Sequence, residues 1–475
     1  MKQRLSLAQS ALEKLSARRG NTWYPIFHLA PPAGWMNDPN GLIYFNGRYH
    51  AFFQHHPASA YQGPMHWGHA TSTDMLHWQH ELVALAPGDK YDRDGCFSGS
   101  AVDDDGVLSL IYTGHICLED RGNDSIIREV QCLATSHDGI RFEKQGCVLT
   151  PPEGIMHFRD PKVWHEDGSW WMVIGARDAS DNGQVLLYRG TSLRDWHLEH
   201  VLAHSAAGES YMWECPDFFR CGNFHWLMFS PQGMNPSGYR FRNLFQSGVL
   251  AGNWKPGSVF ALKGVFEELD YGHDFYAPQS MLAEDGRRII MAWMNWDSPV
   301  PTRSEAWAGC LTLPREVFER DGRLCQRPVR EVESLRRKCQ PLSPVRLHGV
   351  QLLTENVQAA ELLVTWHTVD SHAEHYGIRL GEGLRFYVDN QAGRLILWRY
   401  YPEEGLDGYR SVELPDTEYL TLRIFLDRSS VEVFVNDGEA TLSSRIYPQA
   451  DSRQLSLYAA HGDAILTDGT LWMLT

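Results

Sequence analysis

The chain has 475 residues, more than the ~250–300 at which a single hydrophobic core stops growing, so we expect two domains. Lys and Arg number 43 against 59 Asp and Glu, and the net charge of −16 repels nucleic-acid phosphates and anionic membranes. We therefore predict neither a nucleic-acid nor a membrane partner. The 17 tryptophans are an excess that is typical of packed all-β structure or of flat ligand-binding faces.

Residues 1–20 are predicted to form a short amphipathic helix that docks on the main domain and ends at Gly20. Its apolar residues recur at helical spacing: Leu5, Ala8, Leu12 and Leu15. The segment has no apolar core of the kind that export signals need. The nine cysteines form no C-x-x-C pair, so we predict reduced thiols, no metal site and a cytoplasmic protein.

From residue 21 onward, short aromatic and β-branched runs alternate with Gly, Asp and Pro turns, which predicts many short strands. A repeat of small polar residues, a turn and an aromatic residue recurs in "HATSTDMLHW", "LATSHDGIRF" and "RGTSLRDWH", with a weaker copy in "SGVLAGNW". Its long period favours four-stranded blades. We predict a five-bladed β-propeller over residues 21–330.

The charged segment "REVESLRRKCQPLSP" breaks this rhythm and is interpreted as a linker over residues 331–344. Beyond it, strand-turn-strand runs of alternating polarity predict a β-sandwich over residues 345–475. The predicted fold class is therefore all-β, with a short N-terminal helix, a propeller and a C-terminal sandwich. The sandwich has no evident reactive group, so we expect a structural role for it.

Three acids stand apart from the others: Asp38 in "WMNDPNG", Asp160 in "HFRDPKVW" and Glu214 in "YMWECPDFF". Each lies close to a proline and an aromatic residue. Taken singly, each segment has the composition of an ordinary turn. Their separation along the chain would place them in different blades, whose inner strands converge on one funnel. We expect the turn at Asp38 to aim its carboxylate into that funnel.

Grouped carboxylates suit glycoside cleavage, in which one acid protonates the leaving oxygen and another carboxylate attacks or stabilises the oxocarbenium-like centre. Like charges held close together raise the pKa of one member and keep it protonated near neutral pH. Aromatic walls would supply apolar faces for sugar rings.

The ordered motifs "WMNDPNG", "FRDP" and "WECPD" resemble the signatures of the family-32 glycoside hydrolases, the invertases and fructanases. "HWGHATS", "GCFSGSAV" and "DFYAPQ" match the same pattern, and the resemblance extends from residue 24 through the C-terminal region. Within the family, the chain most resembles bacterial cytoplasmic sucrose hydrolases. The family fold, a five-bladed propeller followed by a sandwich, agrees with the repeat count.

The resemblance implies a retaining β-fructofuranosidase that cleaves sucrose through a covalent fructosyl-enzyme. Asp38 matches the nucleophile, Glu214 the general acid/base and Asp160 the transition-state stabiliser. The first and second carboxyl groups would then lie ~5–5.5 Å apart. The implied substrate-binding residues are Trp35, Met36, Asn37, Gln54, Trp67, Phe97, Ser98, Arg159, Tyr276 and Trp293. Arg159 is expected to pair with the carboxylates and to hold Glu214.

Several alternatives stay open. A sucrose-6-phosphate hydrolase is the main one, and a fructosyltransferase or a non-catalytic sugar-binding propeller is less favoured. The 22 histidines lack zinc-like spacing, and Asp103, Asp104 and Asp105 lack EF-hand spacing, so no metal or cofactor is predicted. In "AWMNWDSP" we interpret Trp293 as a pocket wall and Asp297 as a loop residue.

Overall fold

The computed structural model describes residues 1–120, 122, 125–294, 299–401, 403 and 405–475. Asp297 lies outside this part of the chain. The first element is helix α1 (Lys2–Ser16), which ends four residues before the predicted Gly20. Ala8 and Leu12 are buried against Ala33 and Val83, so the predicted helix docks on the main domain.

Five antiparallel sheets follow and form the blades of a propeller within the described residues. Blade 1 contains β1 (Gly34–Phe45), β2 (Arg48–His56), β3 (His66–Ser72) and β4 (Gln79–His80). Blade 2 contains β5 (Gly95–Asp104), β6 (Val107–Glu119), β7 (Ile126–Ser136) and β8 (Glu143–Leu149). Blade 3 contains β9 (Phe158–Glu166), β10 (Ser169–Arg177), β11 (Gly183–Ser192) and β12 (Asp195–His204).

Blade 4 contains β13 (Met212–Cys221), β14 (Phe224–Gln232), β15 (Gly248–Asn253) and β16 (Ala261–Glu268). Blade 5 contains β17 (Tyr276–Leu282), β18 (Arg288–Met294), β20 (Cys310–Leu311), β21 (Arg315–Arg320) and β22 (Arg323–Pro328). The loop between β18 and β20 includes a 3-10 helix (Pro301–Glu305) and strand β19 (Trp307–Ala308). Since β19 pairs with β1, this loop ties the last blade to the first.

The sequence repeat corresponds to the end of the third strand of a blade and the turn that follows it. In blades 1 and 2 the turns are built alike, because Ser72 bonds Asp74 and Ser136 bonds Asp138, both at 2.9 Å. Each aspartate also accepts two backbone N–H groups of its turn. Phe142, the aromatic residue of the second copy, is buried in the core. Local turn chemistry therefore accounts for the repeat.

The C-terminal region begins with a 3-10 helix (Arg330–Leu335) and packs two layers of strands around one core. Its strands are β23 (Arg336–Leu342), β24 (Val345–Thr354), β25 (Ala360–His367), β26 (His375–Leu380), β27 (Leu384–Asp389), β28 (Arg394–Tyr401), β29 (Leu406–Glu413), β30 (Tyr419–Asp427), β31 (Ser430–Val435), β32 (Ala440–Arg445) and β33 (Leu455–Leu474). The long β33 pairs first with β24 and β26 and then with β23 and β25, so it contributes to both layers of the sandwich.

Buried charges join the sandwich to the propeller. The His28 ring lies between Asp427, at 2.8 Å, and Glu432, at 2.6 Å. Arg315 contacts Asp270 at 3.0 Å and Glu432 at 2.5 Å. The side chains of all five residues are fully buried. This network fixes the two regions in one arrangement. Separately, none of the helices in the described part of the chain is long and apolar enough to cross a membrane.

Candidate active site

The first strand of each blade carries a β-bulge, in which it has one residue more than its partner strand between two paired positions. The bulged residues are Asn37 and Asp38, Ser98, Asp160 and Pro161, Cys215 and Pro216, and Ala277 and Pro278. A bulge re-aims side chains, and it accommodates proline because the ladder hydrogen bond is interrupted there. Pro161 and Pro216, which accompany Asp160 and Glu214 in the sequence, are therefore part of bulges.

The motif at Asp38 is not the turn that its composition suggests, because it lies within strand β1. The strand shifts register twice, between Met36 and Pro39 and again after Asn40. Gly41 has a φ of +53°, and a Cβ there would lie 2.8 Å from the ring of Phe52. The backbone conformation and the close ring both require glycine at this position. The turn-like residues thus bend a strand instead of reversing it.

Asp38 accepts hydrogen bonds from residues of three blades. Ser98 Oγ donates to Oδ2 at 2.7 Å, and Asn37 Nδ2 donates to Oδ1 at 3.2 Å. The Cys215 thiol lies 3.5 Å from Oδ2. Burial and the nearby charge of Glu214 raise the pKa of Asp38, although these donors oppose the shift. The carboxylate is held in a fixed orientation beside other acids.

Glu214 accepts four hydrogen bonds. Arg159 donates from Nε at 3.0 Å and from Nη2 at 2.7 Å, both to Oε1. Gln232 Nε2, at 2.8 Å, and the Tyr276 hydroxyl, at 2.6 Å, donate to Oε2. The expectation that Arg159 holds Glu214 therefore agrees with the geometry. Both carboxylate oxygens are fixed by side chains of other strands.

Asp160 is the acid whose proton affinity is raised most clearly. It is 6% exposed, has a φ of +65° and accepts the backbone N–H of Cys215 at 2.9 Å. Burial and the charges of Glu214 and Asp38 raise the pKa of Asp160 to about 8, although Arg159 opposes the shift. That Glu214 acts as the acid, as the resemblance implies, stays a prediction. Asp160 accepts hydrogen bonds only from the backbone N–H and the thiol of Cys215, so few donors oppose the rise in its pKa.

The cavity in front of these acids has a volume of ≈ 220 Å³. Eight of the predicted site residues line it: Asn37, Asp38, Gln54, Phe97, Ser98, Arg159, Asp160 and Glu214. The other five predicted residues are buried next to them: Trp35, Met36, Trp67, Tyr276 and Trp293. Trp67, for example, is fully buried and donates from its indole to the backbone oxygen of Phe97 at 3.0 Å. These five positions support the lining residues, and a direct sugar contact by them stays a prediction.

Sequence reasoning missed four polar residues that also line the cavity: Gln62, His115, Glu129 and His157. Glu129 accepts a hydrogen bond from Arg159 Nη1 at 3.2 Å, and His157 lies 2.9 Å from the same nitrogen. Glu129 lies in "REVQCLATS", which has neither a proline nor an aromatic residue to mark it. The one signal that could have identified it is a glutamate within a strand of alternating polarity, where a charged residue is rarely buried without a partner.

No group of three or more His, Cys, Asp or Glu side chains in the described ranges is arranged to hold a metal ion. The arrangement is instead a cluster of carboxylates gripped by neutral donors and one guanidinium. Such a cluster can hold one acid ionised and another protonated at the same pH, which is the requirement for acid-assisted nucleophilic cleavage.

Comparison with known proteins places this geometry in a family. Residues 28–328 match the Glycosyl hydrolases family 32 N-terminal domain, and residues 331–473 match the family 32 C-terminal domain. The chain belongs to glycoside hydrolase family 32. It is therefore a glycoside hydrolase, and the resemblance seen in its motifs is confirmed. The predicted fold class, a five-bladed propeller with a C-terminal sandwich and a short N-terminal helix, is confirmed as well.

The relatives of this family-32 hydrolase match nearly its whole length. It is 67% identical over 472 residues to a sucrose-6-phosphate hydrolase of Escherichia coli, with 99% of each chain covered. It is 38% identical to a sucrose-6-phosphate hydrolase of Bacillus subtilis, over 94% of this chain and 93% of the relative. A β-fructofuranosidase of Bombyx mori, solved in complex with sucrose, superposes with a TM-score of 0.86 at 32% identity, covering 99% of this chain and 97% of that one.

Proposed function

We propose that this family-32 enzyme is a retaining β-fructofuranosidase that hydrolyses sucrose to glucose and fructose. The observation that carries the proposal is the meeting of Asp38, Asp160 and Glu214, from three different blades, in one cavity. The Cys215 thiol lies 3.5 Å from both aspartates, which shows how closely these two acids approach each other. The sucrose complex of the Bombyx mori enzyme supports the substrate class.

The geometry supports the following roles. Asp38 attacks the anomeric carbon of the fructosyl unit, while Glu214 protonates the glycosidic oxygen and glucose departs. Water then enters, Glu214 takes its proton, and the oxygen displaces Asp38 from the anomeric carbon. Asp160 holds hydroxyl groups of the fructosyl unit and stabilises the transition state. Two displacements on one carbon retain its configuration.

Each acid has contacts that suit its role. Ser98 and Asn37 hold Asp38 as a directed nucleophile, with donors on both of its oxygens. Near neutral pH the cluster retains one proton, with the raised pKa of Asp160 marking the resting position. The acids are electrostatically coupled, so this proton belongs to the cluster and can be delivered through Glu214 when sucrose binds. The reaction needs no metal ion or cofactor.

The proposal is tested with pure protein and a panel of sucrose, sucrose-6-phosphate, raffinose and inulin. We expect equal release of glucose and fructose from sucrose. In the presence of methanol, retention predicts methyl β-fructofuranoside as the transfer product. If none of the four substrates releases fructose, the proposed activity is wrong. If the transfer product is the methyl α-anomer, the double displacement is wrong.

Hydrolysis of sucrose-6-phosphate is the second candidate, because relatives are named for it and because of the position of Arg303. The Arg303 guanidinium lies 5.6 Å from the ring of Trp35 and 4.6 Å from the ring of Tyr61. It forms no ion pair with any residue that the structure describes. We still favour unphosphorylated sucrose, because Arg159, the cation that lines the cavity, is engaged by Glu214 and Glu129.

We also propose that the enzyme acts in the cytoplasm. All nine cysteines are free thiols, and five of them are only partly buried or exposed. Unpaired thiols persist in reducing compartments. Fractionation of the native host, with an enzyme assay on each fraction, tests this location, and activity found mainly outside the cytoplasm would contradict it.

A further inference from the structure

Glu129 lies on β7 and lines the cavity, although its side chain is only 1% exposed. Its Oε2 accepts the backbone N–H of Phe158 at 2.9 Å and Arg159 Nη1 at 3.2 Å. His115 Nδ1 lies 3.2 Å from Oε1. Burial alone would raise the pKa of Glu129, but Arg159, His115 and the Phe158 N–H lower it to about 2. The residue is therefore a permanent negative charge at working pH.

The Arg159 guanidinium is held by contacts along two of its edges. One edge, Nε and Nη2, donates to Glu214 Oε1. The remaining nitrogen, Nη1, contacts Glu129 and His157. Burial and the charge of Arg159 lower the pKa of His157 to about 4, so His157 is neutral and adds no charge. Glu129 is thus the second anion that fixes the orientation of Arg159.

His115 connects Glu129 to a second residue that lines the cavity, Phe97. Its ring stacks on Phe97 with centroids 4.0 Å apart and planes 5° from parallel. Phe97 lines the cavity. One buried carboxylate therefore contacts the residue that holds the proposed acid/base and the residue that supports the aromatic wall.

We propose that Glu129 is a positioning residue that holds Arg159 against Glu214. The inference rests on the proposed function, in which Glu214 is the acid/base. The charged and titratable groups facing Glu129 are Arg159, His115 and, through Arg159, His157. Those facing Glu214 are Arg159, His157, Tyr211, Cys215, Tyr276, Asp38 and Asp160. In this set Arg159 is the single permanent cation. Its position therefore determines how far the negative charges of the neighbouring acids are compensated.

Glu129→Gln keeps the shape of the side chain and removes its charge. With one anion fewer, the cluster binds its proton less tightly, so the alkaline limb of kcat/KM should move down by about one pH unit. We expect kcat to fall ~10-fold, since a small displacement of a catalytic group has effects of this order or larger. KM should change little. Glu129→Asp, which restores the charge, should return the limb toward its wild-type position.

Glu361 provides a matched control. It is a fully buried carboxylate that contacts Arg336 and Arg423, each at 2.8 Å, in the sandwich. Glu361→Gln should lower the melting temperature and leave the pH profile unchanged. If Glu129→Gln also lowers the melting temperature without moving the alkaline limb, Glu129 is merely structural and the proposal is wrong.

A crystal structure of Glu129→Ala tests the proposal without an activity assay. We expect Arg159 to move away from Glu214, losing at least one of its two hydrogen bonds. Both bonds kept at their present lengths would overturn the inference, even if the wild-type protein released no fructose. Failure of wild-type turnover instead rejects the proposed function. If Glu129→Ala does not fold, the structure of Glu129→Gln is read in the same way, with a shift of the guanidinium expected.

Discussion

Two groups of buried acids lie in this molecule, one at the joint between propeller and sandwich and one in the cavity. At the joint, the acids that face His28, Arg315 and Arg399 are all paired at 3.0 Å or less. Burial would raise the pKa values of Asp427 and Glu432, but their cationic partners lower them. In this group every negative charge has a positive or N–H partner.

The cavity group has more negative charge than positive. Four acids, Asp38, Glu129, Asp160 and Glu214, lie together with one arginine, Arg159, which pairs with Glu129 and Glu214 only. The pKa values of Asp38 and Asp160 are raised. Three bulges there also place non-glycine residues in the left-handed region: Asp160, Cys215 and Ala277. Paired acids stabilise a fold, whereas partly unpaired acids and strained backbone retain chemical reactivity at a cost in stability. Buried Asp and Glu residues thus stabilise the fold at the joint and provide reactive groups in the cavity.

The largest expected effect is a loss of activity when an acid of the cavity group is replaced. Asp38→Asn keeps the shape of the side chain and removes the nucleophile, so kcat should fall by at least ~10³, equivalent to about 4 kcal/mol. The melting temperature should stay level or rise, because a repulsive charge is removed. Steady-state kinetics and thermal denaturation measure both quantities.

Asp427→Asn is the control for that variant. It breaks a paired group at the joint, so it should lower the unfolding free energy by about 3–5 kcal/mol and leave kcat nearly unchanged in the folded fraction. Near-normal turnover by folded Asp38→Asn would end the assignment of the nucleophile.

The joint should respond to alkaline pH. Burial would lower the pKa of His28, but Asp427 and Glu432 raise it from 6.5 to about 9. A raised pKa gives stabilisation that is complete below pH 6.5 and is lost as the pH rises through 9. A shift of about 2.5 pH units corresponds to about 3 kcal/mol.

Denaturant unfolding at pH 6 and pH 9.5 checks this window. The wild type should lose most of that stability, whereas His28→Gln should be less stable at pH 6 and show a smaller change. The variant should keep wild-type kcat/KM at pH 6, because His28 is remote from the cavity. Equal pH dependence in the two proteins would mean that His28 is not charged in the folded state.

The cavity should respond to pH through activity. Asp38 must be ionised and the cluster must hold one proton, so kcat/KM should be bell-shaped with an alkaline limb near pH 8. Glu214→Gln keeps the carbonyl acceptor but cannot deliver a proton, so activity should fall by at least ~10² and the alkaline limb should vanish. Persistence of that limb in the variant would identify another residue as the acid.

The sequence allowed prediction of those site residues and turns that are identified by their immediate neighbours in the chain. Asp160 and the Glu214 segment were predictable because the prolines that permit their bulges stand beside them. The blades were predictable because the same aspartate turn recurs after third strands. Glu129 was not predictable, since its partner Arg159 lies 30 residues away and the pairing exists only in the folded propeller. Trp67 shows the converse limit, because an aromatic residue near a site motif can belong to the core.

The smallest expected effect concerns the phosphate group of the second candidate substrate. Tight phosphate binding needs Lys or Arg groups that are free to bond it, preferably with bidentate geometry. Arg159 is engaged by two carboxylates, and Arg303 is a single guanidinium that contacts the rings of Trp35 and Tyr61. We therefore expect kcat/KM for sucrose to equal or exceed that for sucrose-6-phosphate.

Arg303→Gln makes this last prediction specific to a residue. It should lower kcat/KM for sucrose-6-phosphate by less than ~10-fold, about 1.4 kcal/mol, and affect sucrose still less, because sucrose has no phosphate for the guanidinium to bind. Arg330→Gln is the control, since Arg330 is an exposed arginine that pairs with Asp285 on blade 5. A wild-type preference of more than ~10-fold for the phosphorylated sugar, abolished by Arg303→Gln but not by Arg330→Gln, would show that one guanidinium over two aromatic rings suffices as a phosphate site. Arg303, which forms no ion pair with the described residues, would then bind phosphate, whereas the arginines at the joint are already engaged by carboxylates.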